Sequence, residues 1–76
     1  MKLNSLIKSN VNTVNMIKVQ FNDPSSASGY FDAYEGELKN LSAHYKNLKV
    51  INWYVKEVVN ASATDVWLVV ELKEKL

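Results

Sequence analysis

Residues 50–72, VINWYVKEVVNASATDVWLVVEL, decide the fold. Ile51, Trp53, Val55 and Val59 share one parity, and Val66, Leu68, Val70 and Leu72 share one parity on the facing run. A period of two is the mark of strands with one buried face. Residues 60–64 supply the turn, so the stretch reads as a β-hairpin holding both tryptophans, Trp53 and Trp67. Its second parity is more apolar than a solvated face should be: Val50, Tyr54 and Val58 on one strand meet Trp67 and Val69 on the other. Glu57 breaks the inward parity, so either the strand leaves the core there or a bulge resets its register.

Working towards the N-terminus, Leu41, His44, Tyr45 and Leu48 follow the i, i+3, i+4, i+7 spacing of a helix behind an Asn40 N-cap. Lys39, Lys46 and Lys49 lie on its other side. Before it, residues 30–38 read as a strand, with Gly36 marking a bulge or a close backbone approach. Residues 22–29, NDPSSASG, are a loop by every local signal, long for a hairpin connection and either idle or a contact loop. Residues 14–21 alternate, with Ile17, Val19 and Phe21 on one side and Met16, Lys18 and Gln20 on the other. Leu3, Leu6 and Ile7 make a short helix over residues 5–9 with Asn4 as N-cap and Asn10 and Asn12 as its stop. The expected fold is therefore α+β: one small domain over residues 1–76, in αββαββ order, with a four-stranded antiparallel sheet and short helices. Trp53 and Leu68 are expected to pack with Ile17, Val19 and Tyr45 at its centre.

At 76 residues the chain is near the smallest size that holds a core without staples, and dimerisation would help it. It has no cysteine, which excludes disulfides and cysteine-based zinc sites. Residues 1–9 hold no apolar run of signal-peptide length, and no window approaches a membrane span, so a soluble, cytoplasmic protein is expected. The nine basic residues are all lysine against eight acids. Without arginine the chain lacks the best tool for bidentate contacts to phosphate and guanine.

No residue set forms a recognisable reaction centre. His44, the one histidine, has no visible nucleophile, orienting partner or further metal ligands around it. Asp32, Glu35 and Glu37 are the one acidic cluster, and a glycosidase-like pair would need a cleft that a sheet this small has little room for. They read better as a solvated face or a contact for a basic partner. No glycine-rich phosphate loop or nucleophile motif is present, and no cofactor is expected. Asn40 and Asn60 each begin a glycosylation sequon, and with no signal peptide expected both are read as chance matches. The lysines Lys39, Lys46 and Lys49 suggest the alternative of a nucleic-acid-binding stripe, against which stands a net charge of only +1.

The opening Leu3-Asn-Ser-Leu6-Ile7-Lys8 and the run Tyr34-Glu35-Gly36-Glu37-Leu38-Lys39-Asn40-Leu41 resemble small proteins encoded by phages and prophages of low-GC Gram-positive bacteria. In that group a short leucine helix precedes a hairpin whose second strand reads Tyr-Glu-Gly-x-Leu. The resemblance covers about half the chain and implies an accessory product that binds and blocks a host or phage protein, anti-CRISPR and other anti-defence proteins included. No catalytic residues come with it. The expected function is thus non-enzymatic protein binding, through Met16, Tyr54, Trp67 and Val69 on the second sheet face together with Asp32, Glu35 and Glu37. A partner chain, either a second copy or the target, should cover that face, with Trp67 as its anchor.

Overall fold

A computed structural model describes residues 1–10, 13–23 and 25–73; the expected helix stop at Asn12 and Pro24 of the expected loop lie outside them. Helix α1 (Leu3–Asn10) leads into strands β1 (Met16–Asn22) and β2 (Tyr30–Glu37), a 3-10 turn (Leu38–Asn40), helix α2 (Ala43–Lys46), and strands β3 (Val50–Val59) and β4 (Thr64–Leu72). The strands form one sheet in the order β2-β1-β4-β3. Both hairpins are antiparallel, but β1 and β4 pair in parallel, so the sheet is mixed and the expectation of a purely antiparallel one is corrected. Parity cannot distinguish the two cases, because it assigns side chains to faces and says nothing of strand direction.

The parallel pair sets Ile17 against Leu68, Val19 against Val70 and Phe21 against Leu72. Ile17, Val19, Leu68, Val70 and Leu72 are fully buried there, under Leu3, Leu6 and Ile7 of α1 and Leu41 of the connection. Tyr45 reaches the same layer, its ring 6.2 Å from that of Phe21. Asn15 fixes the register at the start of the pair. Its backbone N–H donates to the Val66 carbonyl (3.0 Å) and its own carbonyl accepts from Leu38 N–H (3.0 Å). Its side chain accepts from Val66 N–H (2.8 Å) and donates to Asp65 (3.1 Å). One residue thereby ties the end of β2, the start of β1 and the start of β4.

Trp53 does not join this core: it is 43 % exposed. It lies opposite Val70 and so on the expected face, but β3 is the outer strand, one place beyond the width that α1 and the connection cover. Every residue of β3 after Val50 is exposed. The pairing runs without a break from Asn52 to Val59, so no bulge resets the register at Glu57, and the strand has left the core already after Val50, where the β3 bulge falls, between Val50 and Asn52.

Three local readings shift for physical reasons. Helix α1 begins at Leu3 rather than after Asn4, because Leu3 is wholly buried and its N–H donates to the Leu48 carbonyl at 3.0 Å. The second helix is a single turn: Leu41 is extended and turned into the core, and Ser42 rather than Asn40 caps it, its Oγ accepting from His44 N–H. Gly36 is a site of close approach and not a bulge. The Tyr34 ring lies over it, a Cβ there would come within 3.0 Å of the Tyr34 hydroxyl, and that hydroxyl donates to the Glu37 carbonyl. The loop after β1 closes on itself, with Asp23 N–H donating to the carbonyl of Gly29, whose φ of +83° suits glycine.

Two consequences are measurable by urea or thermal unfolding. Leu68→Ala should cost about 2–5 kcal/mol, as a fully buried leucine does, whereas Trp53→Ala, despite its larger side chain, should cost about 1–2 kcal/mol because much of the ring is already in water. Asn15→Ala should cost about 1–2 kcal/mol and, in hydrogen exchange, should unprotect Val66 N–H while leaving Leu38 N–H, which bonds the Asn15 backbone, protected.

Candidate functional site

The helices and their buried leucines pack on one face of the sheet, and the register maps what occupies the other. Across β2, β1, β4 and β3 the rows read Glu37, Met16, Trp67, Lys56, then Glu35, Lys18, Val69, Tyr54, then Asp32, Gln20, Glu71, Asn52. All seven residues expected at a protein contact therefore lie on one face. For Asp32 this was not a given. Plain alternation sets Asp32 and Glu35 on opposite faces, but the β1–β2 register slips between Val19 and Gln20, leaving Ala33 as the extra residue and returning Asp32 to the side of Glu35 and Glu37.

The centre of this open face is apolar and its β2 rim is acidic. Met16 and Trp67 are half-buried and directly opposite each other. Tyr54 is 54 % exposed. Val69, by contrast, is only 2 % exposed, so it forms the floor between Lys18 and Tyr54 and offers little to a partner directly. Beside it Gln20, Tyr30, Asn52, Tyr54 and Glu71 line a shallow depression of about 230 Å³. The rim is held by Lys18, whose ammonium lies 3.9 Å from both Asp32 and Glu35, and by Gln20, which donates to Asp32 at 3.0 Å. Glu37 pairs instead with Lys39 at 3.1 Å.

The lysines expected as a stripe are divided. Lys39 and Lys46 flank an open cavity of about 730 Å³ together with Glu37 and Asp65, which offset them. Lys49 sits elsewhere, bridged to Lys2 on one side and accepting Lys73 N–H through its carbonyl on the other. That places Lys2, Lys49 and Lys73 in adjacent positions across the sheet, a row of like charge that linear spacing hid because its members are far apart in sequence. Such a row is unfavourable unless solvated or met by an anion.

His44 is exposed, its ring 5.4 Å from that of Tyr45 and edge-on to it. Among the described residues no group of three or more histidine, aspartate or glutamate side chains is placed to hold a metal ion. Among them, too, no helix is long and apolar enough to cross a membrane. The arrangement sets a large aromatic ring on the central strand pair, beside a methionine and an acidic margin. No family model, curated protein or solved structure matches the chain.

Proposed function

We propose that this is a small non-enzymatic protein-binding protein, of the phage accessory and anti-defence type, that acts in the cytoplasm by covering a surface of its target. The observation that carries the proposal is the open face: Trp67 beside Met16 and Tyr54, with the acids of β2 as rim, on the side of the sheet opposite the packed helices. Aromatic residues on a rigid scaffold are the anchors that dominate interface energies, and a charged margin favours a partner of opposite sign. The target surface is thus apolar at its centre and basic at one side.

Bait experiments test this reading. Wild-type protein, Trp67→Ala and Tyr54→Ser, each shown folded by circular dichroism, are used to capture proteins from a host lysate, with His44→Ala as a control on the helical side. A target held by wild type and His44→Ala and weakened at least roughly tenfold by Trp67→Ala is expected, in line with the loss of a hot-spot aromatic. A target indifferent to both open-face changes would overturn the assignment of this face.

Nucleic-acid binding is the second reading, and the row Lys2, Lys49 and Lys73 favours it more than the divided stripe does. Titration with single-stranded and duplex DNA at rising salt separates the two, because a phosphate-driven complex weakens steeply with salt. Weak binding without sequence preference is expected, and no turnover in hydrolase or nuclease assays with or without divalent metal; tight, steeply salt-dependent binding would reverse the order of the two readings.

A further inference from the structure

We propose that β3 pairs with β3 of a second copy, antiparallel about a two-fold axis through Val55, joining two sheets into one of eight strands. The β3 edge presents backbone groups that the open-face reading does not use; the pairing rests on that reading only in that both open faces then lie on one side of the joined sheet.

The two edges of the sheet are treated differently. On β2 the bulge at Ala33 and the charges Asp32, Glu35 and Glu37 blunt the edge, which are ordinary devices against strand addition. On β3 protection stops partway. Met1 to Leu3 cover its beginning: Val50 N–H donates to the Met1 carbonyl at 2.8 Å and Leu3 N–H to the Leu48 carbonyl at 3.0 Å. After the bulge, Trp53 N–H is taken by the Asn52 side chain at 2.9 Å. At the far end Asn60 N–H donates towards β4, to Ala63, so strand alternation turns the backbone groups of Val55, Glu57 and Val59 outward. Beside them Trp53, Tyr54, Val55 and Val58 are exposed, and Val59 is 75 % exposed.

Charge restricts the register, and self-complementarity within it favours a second copy as the occupant. In a two-fold antiparallel pairing that keeps each face of the sheet continuous, residues opposite one another must share a parity. Centring the axis on Lys56 sets two lysines face to face, and centring it on Glu57 sets two glutamates face to face; like charges directly opposite are destabilising. Axes at Tyr54, Val55 and Val58 all avoid both conflicts, but only the Val55 axis sets Lys56 against an aromatic ring. Val55 then meets Val55 of the second copy, Lys56 meets the ring of Tyr54, where a cation is attracted to the aromatic face, and Glu57 meets Trp53. Glu57 N–H reaches the outward-facing Trp53 carbonyl, while Trp53 N–H keeps its Asn52 partner. Val59 falls level with Ile51, which is likewise exposed. The strand is thus self-complementary in this register.

Analytical ultracentrifugation of the purified chain over a wide concentration range reads the association, and a concentration-dependent species of twice 8.7 kDa is expected. Val55→Pro removes an N–H that faces away from β4, at an edge position where proline is tolerated; it should weaken association roughly tenfold or more, through the two axial hydrogen bonds. Val55→Lys, which sets two ammonium groups on the axis, should do the same, and circular dichroism checks that each variant is folded. Register is read from single cysteines in a chain that has none. Val55→Cys should form a disulfide-linked dimer on mild oxidation, since a directly opposite hydrogen-bonded pair lies about 5.5 Å apart between Cα atoms, within reach of a disulfide. Val59→Cys should not, its two copies being roughly 27 Å apart along the strands. A monomer at every concentration, unchanged association of both folded Val55 variants, or faster cross-linking through Val59 would overturn the proposal. A monomer that still loses its target on Trp67→Ala would sink the dimer and spare the open-face reading; a dimer whose captured target ignores Trp67→Ala would do the reverse.

Discussion

The ladder in which Ile17 faces Leu68 and Val19 faces Val70 carries the molecule, because all four side chains are fully buried and the two helices have room to cover little else. Their pairing is parallel, so the chain after β2 must cross the sheet before β4 can enter beside β1. The 3-10 turn, Leu41 and the single turn of α2 make that crossing, and Leu41 and Tyr45 use it to close the core. Once β1 and β4 hold the centre, β2 and β3 are edges by default. The cover is asymmetric: Tyr34 of β2 packs against the core, while β3 beyond Val50 does not. What is exposed on this protein follows from that shortage of cover, since a chain of this length leaves a large share of its apolar side chains without a layer above them.

Much of this was legible in the sequence as faces and little of it as positions. The alternation in residues 16–21 and 66–72 placed Ile17, Val19, Leu68, Val70 and Leu72 on one inward face, and they are all buried. The same alternation assigned Trp53 to that face correctly and to the core incorrectly, because period two reports which way a side chain points and not whether anything lies over it. Strand direction was illegible for a related reason: the parallel pair is joined through two other strands, and no local signal encodes so distant a contact. Bulges were the third gap. The one that brings Asp32 to the side of Glu35 involves Ala33, a residue with none of the glycine character that draws attention to irregular strands, and the irregularity expected at Gly36 proved to be a tyrosine lying over a missing side chain. At α2 a serine in extended backbone took the capping role and shortened a helix that apolar spacing alone would have run from Leu41.

The open face and the β3 edge follow from the same arrangement but respond to different pressures. A face can be made safe by charge at its margin, and here Lys18 and Gln20 tie Asp32 and Glu35 into a charged rim, through ion pairs and one hydrogen bond, beside the apolar side chains of Met16, Trp67 and Tyr54. An edge is different, because its attraction lies in backbone groups that no surface charge neutralises. The sequence meets that difficulty for the first part of β3 with three separate means, the N-terminal residues, a bulge and the Asn52 side chain, all of which end at Trp53. Beyond that point the remaining defence is Lys56 and Glu57, adjacent and of opposite sign. Two such residues in succession disfavour the pairings centred on themselves and leave those centred on the flanking valines free of repulsion, and of these only the Val55 axis sets Lys56 against Tyr54. Charges that would only discourage association if they were alike become, in this order, a constraint on the registers open to a second strand.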